Sequence, residues 1–207
     1  MTKKRILTGL KPTGTLHLGN YFGSLKPLVD LSLNTSDEIF LMVADYHALT
    51  TVHNKQRLHD DIINIVKDYL AAGADPSRIT LFRQSDNLHH FELNWIFNCH
   101  VTVPFLMQAH AYKDKVAKGD EANAGLFTYP MLMAADIALY DIDEVPVGEN
   151  QRQHVEYARE IIGKINRTYG EILKEPKEII VEGVGVVPGT DGQKMSKSYN
   201  NHIPLFA

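Results

Sequence analysis

Residues 5 to 20 read Arg5-Ile6-Leu7-Thr8-Gly9-Leu10-Lys11-Pro12-Thr13-Gly14-Thr15-Leu16-His17-Leu18-Gly19-Asn20. The short apolar run from Arg5 to Gly9 predicts a buried strand. The pattern that begins near Leu18 predicts a helix that extends to about Leu33. The chain therefore opens with a strand, a loop and a helix.

The loop between this strand and helix is suited to binding phosphate. Gly14 and Gly19 let the backbone approach a ligand closely, and His17 and Asn20 lie where the helix begins. The first turn of a helix offers unpaired N–H groups and partial positive charge. A neutral His17 adds one donor for a phosphate oxygen. A turn rich in Gly and Pro with an incidental histidine would look the same, so this loop alone leaves both interpretations open.

Short strands and longer helices alternate along the rest of the chain. The other predicted strands are Glu38 to Val43, Ile79 to Arg83, Glu144 to Val147 and Glu178 to Val181. The other predicted helices are Lys55 to Ala72, His89 to Val101, Tyr129 to Tyr140 (with Thr128 as N-cap and Pro130 in its first turn) and Gln151 to Tyr169, and Lys113 to Ala124 is predicted to be a mobile loop. This alternation favours an α/β fold, with one Rossmann-like domain over residues 1–207 and helices on both faces of a parallel sheet. Ligands bind at the carboxyl ends of such strands, so the loops after Gly9, Val43 and Val147 are the candidate sites.

Composition excludes several classes of protein. The 207 residues are 44% hydrophobic with a formal net charge of −4, which argues against a protein that coats nucleic acid. Cys99 is the only cysteine, so an intrachain disulfide and a cysteine zinc site are excluded. No apolar run reaches the ~18 residues of a membrane span. We therefore expect a soluble, cytoplasmic protein without membrane association.

A second candidate phosphate site lies near the end of the chain. Lys194-Met195-Ser196-Lys197-Ser198 follows the Gly-rich stretch from Pro188 to Gln193. Two lysines and two hydroxyls on such a loop can form a mobile clamp, because lysine is a point charge on a long stem. A solvated surface loop is the alternative for this segment taken alone.

The predicted helix from Tyr129 to Tyr140 carries one carboxylate, Asp136, among apolar residues. A helix that is apolar nearly all round is buried, and a buried carboxylate needs a hydrogen-bond donor. The donor can come from the protein, as a buried Arg, a Tyr or a backbone N–H. It can also come from an N–H or O–H of a substrate.

Together, the two loops resemble the paired signatures of the class I aminoacyl-tRNA synthetases. His17 to Asn20 is a variant of the first signature, with Asn20 where a second histidine is most common, and Lys194 to Ser198 matches the second in full. From Arg5 to Asn201 the chain resembles the bacterial tryptophanyl-tRNA synthetases in particular. The segments that carry this resemblance are Pro12-Thr13-Gly14, Ala44-Asp45-Tyr46-His47-Ala48, Thr128-Tyr129-Pro130, Met133-Ala134-Ala135-Asp136-Ile137 and Pro146-Val147-Gly148-Glu149-Asn150-Gln151. The sibling tyrosyl-tRNA synthetases would show Gly-Gly-Ser-Asp-Gln where this chain has Val147 to Gln151.

The resemblance implies that ATP activates L-tryptophan as tryptophanyl-adenylate, which is then transferred to tRNA(Trp). It implies that His17 and Asn20 hold phosphate oxygens, that Lys194 and Lys197 neutralise the pyrophosphate, and that Mg²⁺ bridges the phosphates without a dedicated metal site in the protein. The implied ATP-site residues are Lys11, Pro12, Thr13, Gly19, Asn20, Gly148, Glu149, Asn150, Val187, Lys194, Met195, Ser196, Lys197 and Ser198. The implied tryptophan-site residues are Asp136 at the indole N–H, Gln151 and Tyr129 at the amino group, and His47 and Met133 along the indole. Two positions depart from the family pattern, with Asn150 in place of Asp and Lys11 in place of Gln.

The resemblance also implies that residues 89–128 are an insertion with the contacts of a homodimer. The resemblance further implies a helical anticodon-binding domain after the catalytic domain, which we expect to be absent from these 207 residues. A fragment that binds tryptophan and ATP without charging tRNA therefore remains an alternative. A nucleotidylyltransferase of the same superfamily is a second alternative, although such enzymes are not expected to combine the Asp136 helix with the complete second signature.

Overall fold

The computed structural model describes residues 3–119, 121–147, 152–180 and 187–206, with only the backbone at Ile180 and Ser198. Within these residues a parallel sheet has five strands in the order β3-β2-β1-β4-β5. The strands are β1 (Arg5–Leu10), β2 (Glu38–Val43), β3 (Ile79–Arg83), β4 (Glu144–Val147) and β5 (Lys177–Ile180). The predicted α/β class and parallel sheet are confirmed.

The direction of winding reverses at β1. The chain moves outward from β1 to β2 and β3, and it then crosses to the other side of β1, where β4 pairs with it. Full pairing of β1 with β2, from Arg5 opposite Glu38 to Leu10 opposite Val43, aligns the carboxyl ends of these two strands. A reversal of this kind opens a crevice at the carboxyl edge, where α/β proteins bind ligands.

Helices cover the sheet and connect its strands. They are α1 (Leu18–Asn20), α2 (Lys26–Asn34), α3 (Asp45–Ala48), α4 (Lys55–Ala71), α5 (His89–His100), α6 (Val103–Leu106), α7 (His110–Ala117), α8 (Ala124–Ala138) and α9 (Arg152–Tyr169). Short 3₁₀ turns span Gln84–Asp86 and Lys197–Tyr199. In the part of the chain described here, no helix is both long enough and apolar enough to cross a membrane.

Two hydrophobic cores lie on opposite faces of the sheet. Ile6 and Leu41 pack with side chains of α2 and α4 on one face. Leu7 and Met42, the next residues along the same strands, pack with side chains of α5, α8 and α9 on the other. Successive strand residues point to opposite faces, so the alternation explains why helices cover both sides, as predicted.

The prediction of a mobile loop from Lys113 to Ala124 is wrong at both of its ends, where residues 113–117 and Ala124 are helical. Helix α7 ends at Ala117, and α8 begins at Ala124 rather than at Tyr129. The N-cap of α8 is Asn123, whose Oδ1 accepts the N–H of Leu126 at 2.8 Å, and it is not Thr128. Pro130 lies inside α8, because burial of the apolar helix compensates for the one backbone hydrogen bond that proline cannot make.

The first helix is also less regular than its periodicity predicts. A π-helical turn, Tyr21–Leu25, separates α1 from α2. The N–H of Lys26 donates to the carbonyl of Tyr21, five residues earlier. Single π turns inside helices often occur at functional sites, and this one directly follows the His17 loop.

Candidate active site

His17 and Asn20 cap the helix that follows β1 by bonding to each other. His17 Nδ1 accepts the backbone N–H of Asn20 at 3.3 Å, and Asn20 Oδ1 accepts the backbone N–H of His17 at 3.1 Å. An Nδ1 that accepts leaves the proton of a neutral imidazole on Nε2. Burial lowers the pKa of His17, and the nearby Lys197 and His202 lower it further. The ring can therefore stay neutral and donate a hydrogen bond through Nε2.

Gly19 brings the two signature loops into contact. Its N–H donates to Met195 Sδ at 3.3 Å. A Cβ on Gly19 would lie 2.9 Å from the ring of His17, so any side chain at this position would force the ring or the loop to move. Only glycine allows the His17 ring and the Met195 side chain to approach this segment together.

The two loops enclose a cavity of about 210 Å³. Lys197 Nζ closes one side of it by donating to the carbonyl of Thr13 at 3.1 Å. An ammonium has three donors, so this contact leaves others for a phosphate. Partial burial lowers the pKa of Lys197, and the carboxylates of Asp61 and Asp68 oppose the shift. The cavity is lined by Leu10, Lys11, Thr13, Gly14, Leu16, His17, Asn20, Ser196 and Lys197.

Five of the fourteen predicted ATP-site residues line this cavity, namely Lys11, Thr13, Asn20, Ser196 and Lys197. Pro12 is buried beside it, and the exposed Lys194 is not part of its lining. Val187 contacts the second signature loop through its backbone carbonyl, which accepts the N–H of Met195 at 2.8 Å. Gly148, Glu149, Asn150 and Gln151 lie outside the described residues, as does the side chain of Ser198.

Asp136 is 1% exposed and accepts three side-chain hydrogen bonds. His47 Nε2 lies 2.8 Å from Oδ2, while Gln84 Nε2 and His90 Nδ1 each lie 2.7 Å from Oδ1. Burial alone would raise the pKa of Asp136, but the hydrogen bonds from His47 and His90 outweigh it, so the pKa lies below the usual value. The expectation that Asp136 is buried and needs donors is confirmed. The donors are histidine and glutamine side chains rather than the Arg, Tyr or backbone N–H considered for a protein partner.

Further residues hold these donors in place. Gln84 Oε1 accepts the N–H of Tyr46 at 3.1 Å. His90 Nε2 lies 3.0 Å from the hydroxyl of Tyr140, and Tyr140 also receives a bond from Asn87 Nδ2 at 3.2 Å. A His90 that donates from Nδ1 to Asp136 accepts the Tyr140 proton at Nε2 when neutral.

Tyr129 and Met133 share one side of α8 with Asp136. The ring of Tyr129 meets that of His47 edge-on, with 6.0 Å between centroids. Its hydroxyl lies 3.0 Å from Nε2 of His154, and burial raises the pKa of Tyr129 to about 12. Met133 is half-buried against the core on the α8 face of the sheet. Of the five predicted tryptophan-site residues, the four that the structure describes therefore belong to one region.

Sequence reasoning missed Gln84, His90 and His154. Gln84 directly follows β3, so the rule that ligands bind at strand carboxyl ends was a usable signal for it. His90 and His154 reach the region from α5 and α9. No spacing in the sequence connects those two helices to Asp136.

Comparison with known proteins places the chain among tRNA synthetases. A family model described as tRNA synthetases class I (W and Y) matches residues 2–206. The tryptophan–tRNA ligase of Fusobacterium nucleatum is 52% identical over 205 residues, which are 99% of this chain and 62% of the relative. A Campylobacter jejuni tryptophanyl-tRNA synthetase solved with ADP and tryptophan superposes with a TM-score of 0.92 at 47% identity, over 98% of this chain and 63% of that one.

More distant structures share the same architecture. The tryptophanyl-tRNA synthetase of Mycoplasma pneumoniae has a TM-score of 0.89 at 34% identity, over 99% of this chain and 61% of that one. The chain thus spans about three fifths of the length of these relatives. A match over nearly every residue, with both signature loops in place, shows that the chain belongs to the class I tRNA synthetases of the tryptophan and tyrosine branch.

Proposed function

We propose that the chain contains the amino-acid activation site of a tryptophan–tRNA ligase. L-Tryptophan and ATP would react to tryptophanyl-adenylate and pyrophosphate, and the tryptophanyl group would pass to tRNA(Trp). The relatives named tryptophan–tRNA ligase support this choice at 52% and 48% identity. The chain spans 62% of each of these two relatives, so the complete reaction is proposed for the whole protein.

The observation that carries the choice of amino acid is the buried carboxylate of Asp136. Its lowered pKa keeps it ionised at neutral pH, and His47 Nε2 occupies only one lone pair of Oδ2. A second lone pair can accept the indole N–H. His47 and Tyr129 would flank the ring, with Met133 on the same side of α8. A site built around such a bond strongly rejects analogues that lack the donor.

The chemistry asks for positioning and charge stabilisation rather than for a protein base. The carboxylate of the amino acid attacks the α-phosphorus of ATP, the bond to the β-phosphate oxygen breaks, and pyrophosphate leaves with the negative charge. A carboxylate is already ionised, so no proton has to be removed. In this proposal His17 and Asn20 hold phosphate oxygens, while Lys197 and Lys194 approach the departing pyrophosphate. Tyr129 and Gln151 would orient the substrate's amino group.

Mg²⁺ enters the proposal as a partner of the ATP phosphates. The cavity lining offers amide, hydroxyl, imidazole and ammonium groups, and no carboxylate. Among the described residues, no group of three or more His, Cys, Asp or Glu side chains lies close enough to hold a metal ion. Phosphate oxygens and water would therefore hold the ion, whose chemistry is to spread the charge of the leaving group.

ATP–pyrophosphate exchange tests the proposal directly. We expect this chain to support exchange with tryptophan, and not with tyrosine or phenylalanine measured in parallel under the same conditions. Exchange with tyrosine in place of tryptophan would refute the proposed substrate. A folded sample that binds tryptophan and ATP but shows no exchange would instead identify the chain as a binding fragment.

The proposed assembly is a homodimer formed through residues 89–128. Leu88, Phe91 and Trp95 follow each other at helical spacing at the start of α5, and Trp95 is 71% exposed. The exposure of Trp95 excludes a place in the hydrophobic core. Large exposed apolar side chains in one patch are typical of an interface between proteins. We place the dimer in the cytoplasm, with tRNA(Trp) as its macromolecular substrate.

A further inference from the structure

Asn201 is almost completely buried although it follows a polar, exposed loop. It is 2% exposed, and all parts of its side-chain amide are engaged. Oδ1 accepts the N–H of Ser196 at 2.8 Å. Nδ2 donates to Oδ1 of Asp191 at 2.8 Å and to the carbonyl of Lys194 at 3.1 Å.

These bonds hold the second signature loop from the inside. The bonds to the Lys194 carbonyl and the Ser196 N–H flank Met195, so one amide fixes the backbone on both sides of that residue. The carbonyl of Asn201 also accepts the N–H of Thr190 at 3.0 Å. Asn201 therefore binds both arms of the turn in which Pro188 pairs with Lys194.

Asn201 occupies the space in which a side chain of residue 189 would lie. A Cβ on Gly189 would overlap with Cγ of Asn201 and lie 2.6 Å from the carbonyl oxygen of that residue. Such proximity to backbone excludes every other residue type without a shift of the chain. Gly189 and Asn201 are therefore closely packed against each other inside the loop.

The loop that Asn201 holds is the one that reaches the cavity. Met195 is buried and receives the N–H of Gly19 on its sulfur. Lys197 reaches the carbonyl of Thr13. Where the two lysines stand relative to His17 therefore depends on the backbone of Lys194 to Ser196, which the Asn201 amide fixes.

The segment that follows Asn201 is anchored to the first loop. Two residues later, the carbonyl of Ile203 accepts the N–H of Leu18 at 3.0 Å, and the N–H of Leu205 donates to the carbonyl of Leu16 at 2.9 Å. These bonds hold the segment after Asn201 against the residues on either side of His17. The Asn201 amide can therefore act as a fixed point between the two signatures.

We infer that Asn201 is a positioning residue for adenylate formation, which acts by holding Lys194 to Ser196 in the geometry that presents the lysines to the ATP phosphates. This inference rests on the proposed function. Asn201 is not part of the cavity lining. Because the lysines that Asn201 positions are proposed to contact ATP, loss of its side-chain amide should lower kcat/KM for ATP and leave KM for tryptophan unchanged.

Asn201→Asp is the informative variant, because it keeps the acceptor for Ser196 and removes both donors. It also places a second carboxylate against Asp191, whose pKa the Asn201 amide and the N–H of Gln193 hold below its usual value. We expect kcat/KM for ATP in tryptophan-dependent exchange to fall about 10- to 100-fold, with KM for tryptophan unchanged.

The double variant Asn201→Asp/Asp191→Asn exchanges the two groups, so that the amide introduced by the second substitution can donate to the carboxylate introduced by the first. It should recover about tenfold of the loss in kcat/KM for ATP, because a donor and an acceptor again face each other. Asn64→Ala, on the exposed face of α4, is the control that leaves all constants unchanged.

Two outcomes would overturn the inference. One is unchanged ATP constants in Asn201→Asp. The other is an equal loss for ATP and tryptophan, together with a lower melting temperature and no recovery in the double variant, which would indicate a merely structural role.

Failure of the proposed function is read separately, from the unsubstituted chain. If that chain supports no pyrophosphate exchange, the positioning role is tested by amide hydrogen exchange at Thr190 and Ser196, with ATP as the probe. Faster hydrogen exchange of these two amides in Asn201→Asp, together with weaker protection of them by ATP, would support that role. Protection equal to that of the unsubstituted chain would contradict it.

Discussion

Asp136 presents the sharpest energetic problem at the scale of single residues. An ionised carboxylate in an apolar interior costs several kcal/mol unless donors compensate it, and here three donors do so. Because the three come from the segments after β2 and β3 and from α5, the carboxylate also ties those segments to α8. In the proposed site the same group has two roles, to stabilise the fold and to select the substrate.

Replacing Asp136 by Asn should weaken both roles. An amide cannot accept from His47, Gln84 and His90 together, so at least one buried donor loses its partner. We expect the free energy of unfolding to fall by about 1–3 kcal/mol and KM for tryptophan to rise at least tenfold, with KM for ATP nearly unchanged. Denaturant unfolding and pyrophosphate exchange measure the two effects. Asp114→Asn, on the surface of α7, is the matched control. A folded Asp136→Asn protein with unchanged KM for tryptophan would contradict the indole assignment.

The lowered pKa of His17 predicts that the folded protein loses stability in mild acid. Its pKa in the folded protein lies below that of an unfolded histidine, mainly because of burial. Between the folded pKa and the unfolded value of about 6.5, the unfolded chain binds more protons, so stability declines as the pH falls through this interval. Protonation also converts Nδ1 from acceptor to donor, which breaks the cap on Asn20.

The measurement is the free energy of unfolding at several pH values for the unsubstituted chain and for His17→Asn. We expect the difference in stability between the two proteins to shrink as the pH falls below about 6.5. A difference that stays constant from neutral pH to mild acid would show that His17 contributes nothing to the pH dependence.

At the scale of elements, the contact between the two signature loops depends on Gly19. In Gly19→Ala, the new methyl would meet the His17 ring at 2.9 Å, and the ring or the loop has to move. We expect kcat/KM for ATP to fall about tenfold or more, because catalytic geometry tolerates little displacement. Stability should fall by about 1–3 kcal/mol.

The matched control is Gly125→Ala, near the start of α8, where a Cβ meets its nearest neighbour at 3.4 Å. Exchange kinetics and denaturant unfolding should leave that variant close to the unsubstituted chain. If Gly19→Ala behaved like Gly125→Ala, close approach at Gly19 would not matter for the site.

The strands were the most predictable elements. Runs such as Glu38 to Val43 are short, apolar and bounded by polar residues, and each predicted strand is observed within about one residue at its described ends. Helices α7 and α8 were less predictable. The residues of α7 are mostly polar, and Pro130 suggested a helix start where α8 is already in its second turn.

The candidate site was predictable in its loops but not in its buried supports. His17 and Lys197 stand in two motifs that indicate phosphate chemistry when they occur together in one chain. Gln84 and His90 lie in segments without a chemical pattern, and they acquire a role only when the fold places them against Asp136. Buried polar networks join residues by tertiary position, which a linear spacing does not record.

At the scale of the whole molecule, the exposed apolar side of α5 predicts self-association. Trp95→Glu should shift a dimer towards monomer at micromolar concentration, because a charge would be buried in an apolar interface. Sedimentation velocity of both proteins measures this. Ile63→Glu on α4, another exposed apolar position, is the matched control and should leave the mass unchanged. A monomeric unsubstituted chain would refute the proposed dimer.

Helix α8 also constrains how the length of this chain can vary. Tyr129, Met133 and Asp136 lie four and three residues apart on a helix that is buried along its second half. Each residue turns an α-helix by about 100°, so a single insertion or deletion between Tyr129 and Asp136 would rotate the carboxylate away from His47 relative to the tyrosine. Length changes should therefore accumulate in the exposed connection before Asn123 and be absent from the seven residues that follow Tyr129. Screening a library of one-residue insertions for tryptophan-dependent pyrophosphate exchange, and sequencing the active members, would show this as a gap in the positions of the insertions.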